Sequence, residues 1–340
     1  MGTRVSRATR WGGLALILSL AVTALLVRNW WQNELNTPYK GFLEQERIVV
    51  IPRGSNVREI AERLEGAGVI KSALLFRVYA RSLRAPLLQA GEYRFAAPLS
   101  IPDVLRRLRI GDVRQIKVTI PEGSDLVQVS ILLHDAGLCS IADFFGAVAD
   151  ATSIADLDPE ARDLEGYLMP DTYLLTARSP ARRVIGIMVD DAREFWTPKR
   201  LARAQELGFS VHEIVTLASL IEKETGNAEE RPLVSAVFHN RLKIGMHLMC
   251  DPTVIYGVRL LKEFDGVINR SDLAIDSPYN TYRYPGLPPG PITNPGRAAL
   301  EAALYPADVR YLYFVSRNDG THVFSETYRN HERAVRRYQR

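Results

Sequence analysis

The N-terminal part of the chain carries a long apolar run. Seventeen residues without a charge, WGGLALILSLAVTALLV, extend from Trp11 to Val27, which is at the short end of what crosses a bilayer as a helix. Arginines precede the run and tryptophans flank it: Arg4, Arg7, Arg10, Trp30 and Trp31. Such flanks are typical of a membrane span with a cytoplasmic N-terminus. The pattern predicts a cytoplasmic segment over 1–10, a transmembrane helix over 11–29 and a tether over 30–45.

A cleaved signal peptide is the alternative reading of this run. Signal peptides end at a small-x-small cleavage site, and this run ends instead in LLVRNWW. We therefore favour an uncleaved, single-pass anchor in the inner membrane. The rest of the chain would then lie on the extracytoplasmic side.

A repeat of apolar and turn residues follows at a constant offset of 69 positions. RIVVIPRGSNVREIAERLEGAGVI, from Arg47, aligns with IKVTIPEGSDLVQVSILLHDAGLC, from Ile116. In each copy a short apolar run ends at Pro, Gly makes a turn, and a polar residue caps a helix of period 3.6. Ile60 and Leu64 mark the buried face of the first helix, and Val129 and Leu133 that of the second.

The first copy continues into a complete small unit. KSALLFRVYARSL predicts a second helix, AGEYRF predicts a returning strand, and IPDVLRRLRIGD predicts a helix after it. This β-α-α-β subdomain, placed over 46–112, resembles a LysM module, which implies a role in holding glycan chains. The alternative is that the unit serves only to pack within the protein, because fold alone does not assign function.

The remaining chain, 113–340, predicts a mixed α+β domain with a repeat-like segment at 116–150. A long helical stretch covers Pro180 to Leu207, and SPYNTYRYPGLPPGPITNPG forms a loop of twenty residues. Loops of that length inside a compact domain are usually functional or disordered. The aromatic and Asn side chains of YNTYRY argue against disorder. The fold class predicted overall is α+β.

The helix VHEIVTLASLIEKETG ends in two carboxylates. Ser210 with Glu213 forms a capping box, and Gly226 is placed as a C′ glycine, so the helix is expected from about Val211 to Thr225. On a helical wheel Glu222 and Glu224 fall at opposite edges of the apolar arc. The helix dipole and partial burial would raise the pKa of either group. The helical wheel therefore does not decide whether either glutamate is a general acid or an ordinary charge at a helix end.

Composition narrows the function classes. The net charge of +4 includes the N-terminal arginines and does not indicate nucleic acid binding. The two cysteines, Cys139 and Cys250, are far apart, and we expect free thiols. The six histidines show no metal-ligand spacing, and no phosphate-binding or dinucleotide motif is present. We expect no metal and no cofactor.

Several motifs together resemble those of one family. EGYLMPDTY, LASLIEKETG, VFHNRLKIGMHL, DPTVIYG, YNTYRYPGLPPGPITNPG and YLYFVSRNDGTHVFS occur in this order. They are similar to the endolytic murein transglycosylases of the MltG/YceG-like family, over nearly the whole chain after residue 45. The resemblance implies cleavage inside peptidoglycan strands at the MurNAc–GlcNAc β-1,4 bond, leaving a 1,6-anhydro-MurNAc end. It further implies glycan strands as substrate and proximity to peptidoglycan synthases, as a terminator of strand growth.

The resemblance also assigns residues. Glu224 would be catalytic, with Glu222 a structural neighbour. A second carboxylate is not required, and Glu229, Glu230 and Asp251 are candidates that spacing alone does not place. The expected substrate-binding residues are polar or aromatic: Asn240, Asp251, Tyr256, Tyr279, Asn280, Thr281 and Tyr282.

Three further expectations concern the walls of the groove. The loop Gly286–Pro295 would wall it, and Arg241 would pair with an acidic neighbour. Met249 and Cys250 stand where the family carries polar side chains, so the groove would be less polar there. A hydrolytic muramidase and a non-catalytic glycan-binding scaffold stay open as alternative functions.

Overall fold

The chain forms two compact units in the structure, which is a computed structural model. It describes residues 7–83 and 88–339. Unit 1 comprises Met1–Gln115 and Thr176–Arg178, and unit 2 comprises Ile116–Leu175 and Ser179–Arg340. Arg4 of the N-terminal basic pattern lies outside the described residues.

Unit 1 contains the predicted β-α-α-β arrangement. Its elements are α1 (Arg7–Asn36), β1 (Arg47–Ile51), α2 (Val57–Gly66), α3 (Ala73–Ser82), β2 (Gly91–Phe95) and α4 (Ile101–Ile110). β1 pairs antiparallel with β2, from Arg47 opposite Phe95 to Ile51 opposite Gly91. Ile60 and Leu64 are buried at 1% and 0% exposure, as the apolar period predicts.

The segment after the apolar run differs from a tether. α1 continues to Asn36, and Leu35 and Phe42 are buried in the core of unit 1. Tyr39 bridges to Leu99 through its backbone. Two apolar side chains anchor this stretch on the unit because their burial removes them from water. Among the described residues, none of the helices combines the length and the apolarity that crossing a membrane requires.

Unit 2 carries most of the helices. Its elements are β3 (Gln115–Thr119), α5 (Leu126–Asp135), α6 (Ile141–Val148), β4 (Thr172–Thr176), α7 (Ala181–Phe195), α8 (Pro198–Leu207), α9 (Val211–Glu224), α10 (Arg231–Lys243), α11 (Asp251–Leu261), α12 (Arg270–Leu273), α13 (Arg297–Leu304), β5 (Tyr313–Ser316), β6 (His322–Ser325) and α14 (Tyr328–Tyr338). β3 pairs with β4, and β5 forms an antiparallel hairpin with β6. The fold is mixed α and β, as predicted.

The repeat seen in the sequence is a structural repeat. β3, α5, α6 and β4 reproduce the β-α-α-β order of the first copy. Asn56 and Asp125, 69 positions apart, both cap their helices through complete capping boxes. Gly54 and Gly123 take positive φ angles of 80° and 74° at the preceding turn, which a residue without a Cβ adopts without strain.

Two helix predictions need correction. The stretch from Pro180 to Leu207 is two helices, α7 and α8, because the residue before Pro198 is disfavoured in helical conformation and Thr197 is extended. α9 ends at Glu224, and its C-cap Thr225 is extended with φ −145°. Gly226 does not take the left-handed conformation of a C′ glycine. The Ser210–Glu213 capping box is present as predicted.

α9 is the central helix of unit 2. All eight residues from Ile214 to Ile221 are buried, and the helix is packed against α10, α11 and α13. A helix that is apolar on all sides requires such enclosure. The burial holds the C-terminal end of α9, and with it Glu224, in a fixed place.

Candidate active site

Glu224 opens into a cleft of about 350 Å³ in unit 2. The helices contribute Glu224 from α9, Arg241 from α10 and Asp251 from α11. Loop and hairpin residues complete the lining, among them Tyr282 and His322. We call this the Glu224 cleft. Its mixture of charged groups and aromatic rings suits a ligand with hydroxyl groups and flat apolar faces.

The carboxyl group of Glu224 lies where its protonated form is favoured. Burial raises the pKa of Glu224 to about 7, and the charge of Asp251 adds to the rise. A hydrogen bond with Cys250 and the positive charge of Arg241 oppose it, as would a positive charge on His322. A carboxylic acid that keeps its proton close to neutral pH is suited to general acid catalysis.

The carboxylate of Glu222 is hydrogen-bonded to other residues of the protein. Its Oε2 accepts a hydrogen bond from the backbone N–H of Gly296 at 2.9 Å, and its Oε1 accepts one from Arg231 at 3.4 Å. Its side chain is only 6% exposed. Burial raises the pKa of Glu222 as well, while the Gly296 hydrogen bond and the charge of Arg231 act against the rise. The two glutamates are therefore not equivalent: only Glu224 faces the cleft.

Asp251 and Tyr282 stand together in the cleft. The Tyr282 hydroxyl donates a hydrogen bond to Asp251 Oδ1 at 2.5 Å. Burial, together with this hydrogen bond and the Asp251 charge, raises the pKa of Tyr282. Of the seven predicted substrate-binding residues, these two line the Glu224 cleft.

Three others of the seven have their polar groups committed to the protein backbone or core. The Asn240 amide donates to the carbonyls of Val309 and Tyr311, both at 2.9 Å. Asn280 is fully buried and donates to two carbonyls at 3.0 and 2.9 Å. Thr281 accepts a hydrogen bond from the backbone N–H of Cys250 at 3.0 Å. These side chains hold the loops around the cleft, which sequence spacing cannot distinguish from substrate contact.

Tyr256 and Tyr279 lie elsewhere. Their rings are 4.9 Å apart, and the Tyr256 hydroxyl donates to Glu165 at 3.5 Å. Tyr256 and Glu165 line a separate cavity of about 250 Å³. Burial raises the pKa of Glu165 to about 8, against hydrogen bonds from the backbone of Leu126 and from Tyr256.

The Pro- and Gly-rich loop is joined to EGYLMPDTY through Asn294. The Asn294 side chain accepts hydrogen bonds from the backbone of Gly166 and Leu168, at 3.0 and 2.9 Å. It donates to the Ser124 carbonyl at 2.8 Å and to Glu165 at 3.2 Å. Four hydrogen bonds on one buried amide tie together three segments that are distant in sequence.

Sequence reasoning missed the contribution of the β5–β6 hairpin. The motif YLYFVSRNDGTHVFS contributes to the family resemblance, but nothing in its pattern nominates His322 as a cleft residue. The prediction for Arg241 was wrong. Among the described residues, its guanidinium donates to the carbonyls of Leu312 and Leu248, at 2.7 and 2.6 Å, and not to a carboxylate.

Met249, followed by the buried Cys250, gives the Glu224 cleft a less polar edge. Met249 lines it, is 47% exposed and has a φ of 49°, a left-handed conformation uncommon for residues other than Gly. Cys250 is buried, with 1% exposure. Both cysteines are free thiols. Over 7–83 and 88–339, no group of three or more His, Cys, Asp or Glu side chains is arranged to hold a metal ion.

Comparison with known proteins gives relatives over most of the chain. Residues 49–337 match the YceG-like family. The endolytic murein transglycosylase of Bacillus subtilis is 34% identical over 304 residues, which cover 85% of this chain and 83% of that protein. The endolytic murein transglycosylase of Streptococcus pneumoniae is 32% identical over 316 residues, 84% of this chain and 57% of that protein. A crystal structure of a YceG-like protein from Listeria monocytogenes matches with a TM-score of 0.58 and 33% identity, over 85% of this chain and 98% of that one.

Proposed function

The chain belongs to the YceG-like family, and we propose that it is an endolytic murein transglycosylase, a lyase that cuts peptidoglycan strands internally. One observation carries the assignment of the site. Glu224, at the end of the buried helix α9, lines a cleft while burial raises its pKa to about 7. Near neutral pH, a substantial fraction of the protein therefore holds a proton on the side chain that faces the substrate.

The first step uses that proton. Glu224 donates it to the glycosidic oxygen between MurNAc and GlcNAc, and the bond from this oxygen to the MurNAc anomeric carbon breaks. The departing sugar leaves as an alcohol, and positive charge develops on the remaining ring as in other glycosidic cleavages. Glu224 is left as a carboxylate in the cleft.

The second step returns the proton. The 6-hydroxyl of the same MurNAc attacks the anomeric carbon, and the Glu224 carboxylate accepts the hydroxyl proton. The product is a 1,6-anhydro end, and the enzyme regains its starting protonation state. One carboxyl group acts first as acid and then as base, so neither a nucleophilic carboxylate nor a base for water is required, unlike in paired-carboxylate glycosidases.

Within the cleft we assign substrate contact to Asp251 and Tyr282 beside Glu224. The aromatic face of Tyr282 packs against a sugar ring, and the free oxygen of Asp251 accepts a hydrogen bond from a sugar hydroxyl or acetamido N–H. Glu229 is an exposed residue outside the cleft lining. Glu230 binds His322, so Asp251 is the second carboxylate at the site.

Product analysis in ¹⁸O-labelled water tests the proposal. Purified glycan strands are digested with the full-length chain, and the new ends are read by mass spectrometry. We expect anhydro ends without ¹⁸O, in internal fragments. Reducing ends that carry one ¹⁸O would establish a hydrolytic muramidase instead, and intact strands would leave a glycan-binding scaffold.

The location of the protein is part of the same proposal. The uncharged run from Trp11 to Val27, with Leu18, Leu25 and Leu26 exposed on α1, supports a single-pass inner-membrane anchor with the catalytic unit outside the cytoplasm. A chain lacking residues 1–29 should move from the membrane fraction to the soluble fraction. Retention of that variant in the membrane would contradict the anchor.

The β-α-α-β unit over 46–112 is proposed to act as a LysM-like glycan holder, close to peptidoglycan synthases. Deleting it in the full-length chain should weaken pull-down by insoluble peptidoglycan while cleavage of short soluble strands continues. Unchanged pull-down would assign the unit to packing. Cross-linking in cells, with synthases as the expected products, tests the partners.

A further inference from the structure

His322 is held by a second buried carboxylate, Glu230, through two hydrogen bonds. Glu230 Oε1 accepts the backbone N–H of His322 at 2.9 Å, and Oε2 is 2.7 Å from the ring nitrogen Nδ1. The two side chains are 13% and 11% exposed. Both oxygens of one carboxylate are thus directed at the same histidine.

Aromatic packing fixes the plane of the imidazole ring. Phe314 meets it edge-on, with ring centroids 5.5 Å apart and planes at 87°. Phe324 lies at 6.3 Å and 58°. With one hydrogen bond from Nδ1 to Glu230 and two phenyl rings around it, the ring has little freedom to turn, and this restriction is typical of a residue arranged for a function.

The contact with Glu230 selects the tautomer of His322. An ionised carboxylate only accepts hydrogen bonds, so the ring nitrogen that faces it must carry the hydrogen. In the neutral imidazole the proton is then on Nδ1, and Nε2 keeps a lone pair. Among the residues that the structure describes, none forms a hydrogen bond with Nε2, while His322 lines the Glu224 cleft.

We propose that His322 binds a hydroxyl group of the glycan beside Glu224, through the lone pair of Nε2, and that Glu230 is the positioning residue that keeps Nε2 an acceptor. The inference rests on the proposed function for the identity of the sugar. Sugar hydroxyls donate hydrogen bonds, and a cleft that orients them needs acceptors. The guanidinium of Arg241 offers only donors, so the imidazole supplies a function that its cationic neighbour lacks.

A protonated imidazole would serve this site badly. A positive His322 lowers the pKa of Glu224 and so removes the proton that the first step consumes. It would also present a donor where the sugar offers a hydroxyl hydrogen. Acceptance of a hydroxyl by neutral His322 is compatible with a protonated Glu224.

His322→Asn and His322→Gln form a matched pair that distinguishes the role of Nδ1 from the role of Nε2. Asn places its amide where Nδ1 was, so it keeps a donor for Glu230 but has nothing at the position of Nε2. Gln reaches the position of Nε2 with an oxygen that accepts. We expect kcat/KM for soluble glycan strands to fall about tenfold in His322→Asn, the loss of about one hydrogen bond, and less in His322→Gln. Wild-type kcat/KM in His322→Asn would overturn the proposal.

Glu230→Gln tests the positioning role. A Gln side chain has one acceptor oxygen, while His322 directs two donors at it. The backbone N–H cannot lose its hydrogen, so the ring proton must move to Nε2, and the acceptor in the cleft becomes a donor. We expect kcat/KM to fall as in His322→Asn, although the substitution leaves the ring in place.

Nitrogen NMR of the ¹⁵N-histidine-labelled full-length chain in detergent reads the tautomer directly, with the His322→Asn spectrum identifying the signal among the six histidines. We expect a protonated Nδ1 in the wild type and a protonated Nε2 in Glu230→Gln. A protonated Nε2 in the neutral wild-type ring would refute the proposal. So would a tautomer change in Glu230→Gln without loss of kcat/KM.

Binding separates this inference from the proposed function. Failure of the wild type to produce anhydro ends would overturn the reaction, not the contact. Titration of Glu224→Gln and of the double variant Glu224→Gln/His322→Asn with a GlcNAc–MurNAc tetrasaccharide measures the contact alone. We expect about tenfold weaker binding by the double variant. Equal affinities would reject the contact even if the wild type cleaves strands.

Discussion

Glu222 accepts the backbone N–H of Gly296 at 2.9 Å. Gly296 is the N-cap of α13 and has no side chain to cap that helix, so this contact ties the C-terminal turn of α9 to the start of α13. Glu224, two residues later, instead opens into the cleft. Two carboxylates that look alike in the sequence therefore differ in the structure: Glu222 holds two helices together, and Glu224 lines the cleft, where we propose its catalytic task.

Exchange of each glutamate for Gln should separate these tasks. Glu224→Gln removes the only proposed proton carrier, so kcat should fall about 10²–10⁴-fold, the usual contribution of a general acid. The measurement is the rate of release of anhydro-ended fragments. Glu222→Gln is the control, because Gln still accepts the Gly296 hydrogen bond, and it should keep most of the activity. Similar losses in both variants would contradict the assignment.

The pKa of about 7 predicts how cleavage depends on pH. Above that pH the acid form of Glu224 is depleted, and kcat should fall about tenfold per pH unit. A pH profile of initial rates checks this. A rate that stays constant from pH 7 to 9 would mean that Glu224 does not supply the proton.

The same group affects stability. The pKa of Glu224 is raised in the folded protein from the ordinary 4.5 to about 7, so the folded state holds a proton that the unfolded chain releases between these values. Its contribution to the free energy of unfolding is therefore greatest below about 4.5 and is lost as the pH rises through about 7. Urea unfolding at pH 5 and pH 8 should show that Glu224→Gln gains stability relative to the wild type at the higher pH. A gain in stability of Glu224→Gln that is seen only at pH 5 would contradict this prediction.

Two neighbours of Glu224 should shift this pH profile in opposite directions. The charge of Asp251 raises the pKa of Glu224, and the hydrogen bond with Cys250 lowers it. Asp251→Asn should move the alkaline limb of the rate profile to lower pH, and Cys250→Ala should move it to higher pH. The position of the limb is independent of the overall rate, so a loss of substrate affinity in Asp251→Asn does not obscure the result. Shifts of the same sign in both variants would disprove the electrostatic account.

Asn294 is predicted to be essential for folding. Its replacement by Ala removes four hydrogen bonds and leaves the backbone N–H groups of Gly166 and Leu168 without their acceptor. We expect the free energy of unfolding to fall by about 3–5 kcal/mol. Asn330→Ala, at an exposed position on α14, is the control and should change it by less than about 0.5 kcal/mol. Chemical denaturation of the three proteins gives the comparison.

Local patterns were sufficient for the elements that depend on neighbours in sequence. The repeat at offset 69, its capped helices and the Ser210–Glu213 box all follow from side chains within a few residues of one another. Burial and the helix dipole left both glutamates at the end of α9 open, and the resemblance of the surrounding motifs to one family singled out Glu224. The break between α7 and α8 was missed, although Thr197 before Pro198 carried the signal.

Only the tertiary structure decided which partner each polar side chain binds. Asn240, Asn280 and Thr281 carry the same amides and hydroxyls that bind sugars, but their partners are carbonyls and N–H groups from distant segments. His322 enters the cleft because the β5–β6 hairpin folds against α10, whose N-cap Glu230 holds it. A hydrogen bond depends on a position within a few tenths of an ångström, and segments almost a hundred residues apart reach such positions only when the core has packed. The residue pattern by itself determined the elements and left the two glutamates open, and the family resemblance favoured Glu224; packing decided that Glu224, and not Glu222, lines the cleft.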